Sequence, residues 1–402
     1  MPKKFRLLSI VLAASLLWSC GRISDLTYEK AAEFDGIAFP FANSSGTVSS
    51  DSVDPSSNAV SDPASGTVSA ASDGYYYEHL TTAQQQNYDL LLEGFLNFSD
   101  EITGMSEDSK IVFSAVSAIY LDHPELTWIQ NGGGQLMHGT GIGTYIPEYK
   151  LDASDGLSTA AQAKAAADSF LSAVDENASD YEKVVFVFDY LVETVDYSEA
   201  DENCRDIYGA LVEQEAVCAG YAAAAKYLLD CLEIPCIIVT GDMLDDGQPH
   251  AWNIVWLDDE PYHMDVTWGD PSFSEGSSIP ANYRNYSYLL MTTEEVLLER
   301  TIDEDICSMP LCTSDLDYFA RENLIIEEYP GTLGDILVDA YTEGDSWVTV
   351  SFGKDADMND VLYRLFECYD FYDFFDAAGI NVSSSSYSVE ESARTLSVFF
   401  QN

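Results

Sequence analysis

EAVCAGYAAAAKYLLDCLEIPCIIVTG at 215–241 and PHAWNIVWLDDEPYHMDVTWGDP at 249–271 decide how this chain is read. Cys218 is followed by Ala219, Gly220, Tyr221 and an alanine run ending in Leu228 and Leu229, a pattern that predicts a helix opening at the cysteine. A thiol there sits at the positive end of the helix dipole, which lowers its pKa from the free value of about 8.5. Gly220 removes a side chain where a substrate backbone would pass, and Ala222 to Ala225 allow close packing on a sheet; both also serve ordinary helix packing. Downstream, apolar and aromatic runs on either side of Asp258, Asp259 and Glu260 predict an antiparallel hairpin. A turn centred near Leu257 and Asp258 brings His250 and Asp265 opposite or nearly opposite each other, with Cβ atoms about 5 Å apart. The carboxylate can then fix the imidazole tautomer and steady the imidazolium. Nucleophile, base and orienting acid in that order point to cysteine-based acyl chemistry.

These residues resemble the core of the transglutaminase-like superfamily, the papain-related fold of thiol acyltransferases and peptidases. The resemblance rests on YGALVEQEAVCAGYA around Cys218, IPCIIVTG from Ile234, HAWN at His250 to Asn253 and HMDVTWGDP from His263, and with the helix from Asp180 it covers about a quarter of the chain. It implies an α+β fold with the catalytic Cys at a helix N-terminus and His and Asp on an antiparallel sheet. It further implies Cys218 as nucleophile, His250 as base and Asp265 as orienter, acting without a cofactor on peptide or protein amides, cell-wall peptide among them. The resembling sequences often carry Gly where this chain has Gln214 or Glu215.

Around the triad, Tyr208 is placed either near the thiol as a donor or as a helix-packing ring. Trp252 and Trp268 read as core aromatics flanking the site, and His263 either tunes Asp265 or packs beside it. Cys231 and Cys236 read as core residues on a helix and a strand. Cys307 and Cys312, in CSMPLC, are spaced for a disulfide in an exported protein, and the odd number of cysteines after Cys20 leaves a thiol free. No metal site is expected: paired CxxC motifs are missing, His79, His123 and His138 stand alone, and no EF-hand spacing occurs. The glycines at 132–134 turn a strand pair and make no phosphate loop, because no GK[ST] follows.

Lys3, Lys4 and Arg6 precede an apolar run from Leu7 to Leu17, the layout of a secretory signal and too short to span a membrane comfortably. LWSC resembles a bacterial lipobox, which would make Cys20 the lipidated first residue of an exported protein tethered to the outer face of the membrane. The Ser, Thr, Ala and Gly composition that follows cannot bury a core and reads as a stalk. The expected organisation is a signal and lipobox at 1–20, a stalk at 21–74, an α+β region at 75–155, the thiol domain at 156–314 and a small α+β module at 315–402. A charge of −52, from 69 acidic and 17 basic residues, repels nucleic acid, and 47% hydrophobic content places those acids on a folded surface. The aromatic cluster Tyr369 to Phe375 reads as a binding face or as a loop closing over the core, and the tail carries no recognisable chemistry. Two function classes follow: a surface enzyme that forms a thioester on Cys218 and resolves it with water rather than an amine, or a binding lipoprotein that keeps the fold without using it.

Overall fold

The computed structural model describes residues 74–200, 202–270, 279–280, 282–382 and 384–401. The expected signal and lipobox with Cys20, and the expected stalk as far as residue 73, lie outside the described residues.

The chain enters through α1 (Tyr75–His79) and α2 (Thr82–Leu96), then β1 (Ile102–Met105), α3 (Ser109–Asp122), β2 (Ile129–Met137) and β3 (Gly143–Tyr149). Tyr88, Leu91 and Phe95 recur at helical spacing and form the buried face of α2. Thr81 and Gln84 close a reciprocal cap at its start. The strands form an antiparallel sheet in the order β1-β3-β2. The glycines at 132–134 lie inside β2, not at the turn, next to a register shift between Ile129 and Gly134. There the strand bends around the buried ring of Tyr145, whose hydroxyl donates to the Gly133 carbonyl at 2.8 Å.

Next come α4 (Ala153–Leu171), α5 (Asp180–Thr194), β4 (Asp196–Tyr197), β5 (Glu215–Ala216) and α6 (Cys218–Cys231). They lead into β6 (Cys236–Asp242), β7 (Pro249–Leu257), β8 (Glu260–Met264), α7 (Val266–Gly269), β9 (Leu289–Met291), α8 (Thr293–Val296) and α9 (Tyr318–Arg321). A four-stranded antiparallel sheet runs β6-β7-β8-β9. Ala222 to Ala225 are all buried, so α6 lies close against β6 and β7 with no bulky side chain between. Asp258 and Asp259, at φ 54° and 66°, form the two-residue turn that joins Leu257 to Glu260. One continuous hydrophobic core extends from Tyr76 in α1 to Phe319 in α9, so the N-terminal helices and α6 bury their apolar faces together.

The last part contains β10 (Ile325–Ile326), α10 (Leu333–Glu343), β11 (Trp347–Phe352), α11 (Met358–Leu362), α12 (Asp370–Ala377), β12 (Ser384–Glu390) and β13 (Thr395–Gln401). Its sheet runs β10-β11-β13-β12, and Leu333, Leu337, Val350 and Leu396 belong to a separate core. The Tyr369–Phe375 cluster is not a loop closing over the thiol core. Phe371 and Phe375 stand one helical turn apart on α12 and fill this module's own core, while Tyr369 and Tyr372 remain exposed. The module docks through Trp347 and Phe399, whose rings meet Tyr283 edge-on at 4.9 and 5.0 Å. Among the described residues no helix is long and apolar enough to cross a membrane.

Candidate active site

Cys218 is the first residue of α6 and is buried. Val217 before it is extended and offers no capping side chain, so no hydroxyl or carboxylate competes for the positive end of the helix. What fills the space at Gly220 is protein, not a path for substrate: a Cβ there would lie 2.4 Å from the Cys204 carbonyl oxygen. That same carbonyl accepts from the Val217 N–H at 2.9 Å and pins the loop to the helix start. Gln214, before the cysteine, is left-handed at φ 59° and ψ 30°, a conformation glycine adopts without a steric cost.

Cys218 is disulfide-bonded, and only its reduced form could serve as a nucleophile. The remaining cysteines among the described residues, Cys204, Cys231, Cys236, Cys307, Cys312 and Cys368, carry free thiols. Cys307 and Cys312 are therefore not a disulfide: the Cys312 thiol donates instead to the Pro310 carbonyl at 3.9 Å, and its backbone is tied to Thr293, donating its N–H to Oγ1 and accepting the Thr293 N–H at its carbonyl, both at 2.9 Å. Cys231 is exposed at the end of α6 rather than in the core, whereas Cys236 is buried in β6.

His250 sits on β7 opposite Gly241 of β6. The register between β7 and β8 pairs Asn253 with Met264; continued, it would place Thr267, not Asp265, opposite His250. Asp265 lies just past the end of β8, where it caps α7 by accepting the Trp268 N–H on Oδ1 at 3.1 Å. From there its Oδ2 reaches diagonally to His250 Nε2 at 2.7 Å, with both side chains fully buried. A carboxylate only accepts, so Nε2 carries the proton of this bond and Nδ1 is left to act as a base. Burial alone would raise the Asp265 carboxyl, but the charges of His250 and Arg300 outweigh it and hold the group at about 2.

The residues beside the pair have structural duties. Trp252 stacks on His250 at 5.9 Å and donates its indole N–H to His263 Nδ1 at 2.9 Å. His263 Nε2 faces Thr293 Oγ1 at 3.2 Å, and burial, helped by the Arg300 charge, lowers its pKa to about 3. It is thus a neutral ring wedged between Trp252 and Thr293. Tyr208 opens the π-helical turn Gly209–Glu213, and its backbone N–H donates to Asp206 Oδ1 at 2.8 Å.

Two further residues shape the site. Asn253, buried on β7, donates through Nδ2 to the Ala222 carbonyl at 2.9 Å and to the Ile237 carbonyl at 3.2 Å. That fastens α6 to the sheet one helical turn beyond Cys218 and three residues beyond His250. A polar residue inside the otherwise apolar run AWNIVWL was its signal. Arg300 is fully buried and donates Nη1 to the Oδ2 of Asp265. It reaches that place because Thr301 runs against β6, its N–H donating to the Asp242 carbonyl at 2.8 Å. Gly241 makes room, since a Cβ there would lie 1.9 Å from the Thr301 carbonyl oxygen.

A cleft of about 470 Å³ borders both Ala219, next to Cys218, and His250. Leu126, Ile129 and Ile238 supply apolar walls, and Lys150 and Asp206, paired at 2.6 Å, lie at its edge.

Behind α6, Tyr221 Oη lies 2.6 Å from the Val195 carbonyl and 2.5 Å from Asp270 Oδ2. One phenol proton serves only one acceptor at a time, so Val195 and Asp270 share it as alternative acceptors. Burial pushes the Asp270 carboxyl up to about 6, against the hydrogen bond from Tyr221 and with help from the charge of Asp196. Its folded pKa therefore exceeds the unfolded value of about 3.9. The native state retains a proton that the unfolded chain has released, so this group's contribution to stability falls as pH rises from about 4 to about 6. Asp270→Asn is neutral at every pH and keeps an oxygen to accept from Tyr221. Relative to wild type it is expected to gain of order 2 kcal/mol at pH 7 and nothing at pH 4. Urea unfolding of both proteins across this range checks the prediction; a constant difference would refute it.

A search of curated proteins finds no match. Parts of the chain are similar to solved structures. One is described as a TGase, at 18% identity over 37% of this chain and 47% of that chain, with a TM-score of 0.26. A cysteine protease candidate from Cytophaga hutchinsonii shares 22% identity over 27% of this chain and 37% of its own, with a TM-score of 0.23. A protease candidate from Parabacteroides distasonis shares 11% over 32% and 35%, with a TM-score of 0.21. Each match spans less than half of the solved chain. The model of the transglutaminase-like superfamily matches residues 168–266, the span that holds α5, Cys218, His250 and Asp265, and the chain therefore carries a transglutaminase-like core.

Proposed function

We propose that the protein transfers acyl groups from peptide or protein amides through a thioester on reduced Cys218, with water as the usual acceptor. The observation that carries this reading is the buried bond between His250 Nε2 and Asp265 Oδ2 at 2.7 Å, beside a cleft that reaches the start of α6. His250 Nδ1 takes the Cys218 proton, and the thiolate adds to the substrate carbonyl. Collapse of the adduct breaks the C–N bond as the imidazolium returns its proton to the leaving amine. A water then gives a proton to His250 and its oxygen to the thioester carbon, releasing a carboxylic acid and the thiol. Hydrolysis is favoured over cross-linking because water needs no second binding pocket.

The reading predicts an inversion of reactivity. Cys218 is buried as deeply as Cys312, whereas Cys231 and Cys368 are exposed. If the imidazole and helix end generate a thiolate, limiting iodoacetamide at pH 7 should still label Cys218 of the reduced protein at least tenfold faster than either, by peptide mass spectrometry. Labelling in order of exposure would reject an activated nucleophile and favour a binding role for the fold.

A further inference from the structure

The mechanism requires His250 and Asp265, yet the same Asp265 oxygen that meets His250 also accepts from Arg300 Nη1. Arg300 is held on all sides. Its guanidinium lies over the rings of Trp252, Trp268 and Tyr288 at 5.4, 5.9 and 5.8 Å, and Nη2 donates to Glu299 Oε2 at 3.3 Å. Its Nε has no partner among the described residues, so two anions and three aromatic faces fix its position. Glu299 is only partly buried, and its other oxygen accepts from the hydroxyl of Ser392 at 2.7 Å. Ser392 belongs to the hairpin between β12 and β13, so a polar chain runs from the C-terminal module through Glu299 and Arg300 to the triad acid.

We propose that Arg300 and Glu299 are positioning residues of the triad: the guanidinium fixes the Asp265 carboxylate and opposes the charge of the His250 imidazolium, and Glu299 sets the guanidinium. This rests on the acyl-transfer reading above. The physical consequence is a signed one. An arginine is charged at every working pH, so it lowers the stability of the imidazolium across Asp265, and an anion on its far side offsets part of that effect. Removing the cation should favour imidazolium; removing the anion should disfavour it. The other titratable groups facing this network are His263 on β8, Tyr288 before β9 and Glu390 on β12. His263 is neutral above about pH 3 and Tyr288 is raised well above its usual value, so neither titrates near neutrality. Glu390 is raised by burial and by Glu299, and it remains present in every variant used below.

The test is the pH dependence of Cys218 alkylation and of kcat and KM in the reduced full-length protein, with Arg300→Gln, Arg300→Lys and Glu299→Gln. In Arg300→Gln the alkaline limit set by imidazolium deprotonation is expected to rise by at least half a pH unit, with kcat about tenfold lower and KM within twofold. Arg300→Lys should return the limit toward wild type and recover part of kcat. In Glu299→Gln the limit should move down instead. A role in packing alone gives no opposite movement, so limits shifting in one direction, or not at all, overturn the proposal. If Arg300→Gln does not fold, the partly exposed Glu299→Gln decides it: a lowered limit supports the proposal and an unchanged one refutes it. Slow Cys218 alkylation in the wild type at every pH would instead reject the acyl-transfer reading itself.

Discussion

Cys218→Ala is expected to reduce turnover of any acyl substrate to the uncatalysed background, a loss of about six powers of ten if this triad behaves as a serine triad does when its nucleophile is removed. The expectation follows from covalent chemistry: no other described thiol begins a helix next to the His250 cleft, and Cys204, Cys236, Cys307 and Cys312 are all held above the ordinary thiol pKa, each chiefly by burial. The substitution removes one buried sulfur, so its folded-state cost from packing is about 1 kcal/mol. Steady-state rates with a peptide amide, alongside circular dichroism of the same sample, separate lost chemistry from lost structure. Retained turnover in a folded variant would remove Cys218 from the mechanism.

Asp265→Asn is expected to be the second most damaging change, and to harm both activity and stability. The carboxylate accepts from three donors: His250 Nε2, Arg300 Nη1 and the Trp268 backbone N–H. An amide has one accepting oxygen, so either its NH₂ opposes the Trp268 N–H or it opposes His250 and Arg300. In both orientations Arg300 loses its buried counter-ion, a change that costs about 3–5 kcal/mol. The wrong histidine tautomer adds a loss of about four powers of ten in rate, by analogy with serine triads. The acid limb of stability should change too. Asp265 is held at about 2 in the folded state, below its unfolded value of about 3.9, so the stability it supplies is full above about pH 4 and is lost as pH falls toward 2. The variant should lack that portion of the acid transition. Equal acid midpoints for variant and wild type, with a rate loss under tenfold, would mean that another group orients His250.

How much of this was legible depends on whether the determining interactions are local. The start of α6 at Cys218 is written in the alanine-rich run and its first small residues, and the hairpin in two apolar runs around Asp258 and Asp259. The register was readable only to within a diagonal, because moving the turn from Leu257 and Asp258 to Asp258 and Asp259 slides the strands past each other by two residues. Arg300 was not readable: in LLERTIDED it sits among acids as a surface arginine would, and its burial depends on Gly241 admitting the Thr301 carbonyl from across the sheet. The Cys307 and Cys312 pair failed for the same reason, since sequence spacing does not show that Thr293 holds Cys312. In α12 the acids Asp370, Asp373 and Asp376 mask a helix whose apolar period survives only at Phe371 and Phe375.

The central claim is that acyl transfer passes through Cys218. The most direct measurement is acid quenching of the reduced full-length protein within the first turnover of an activated ester, followed by peptide mass spectrometry of the cysteines. The account predicts one acyl group on Cys218, formed in a burst, absent in His250→Ala and removed on standing in water. Ester turnover with no adduct on Cys218, or adducts forming equally fast on the exposed Cys231 and Cys368, would contradict it.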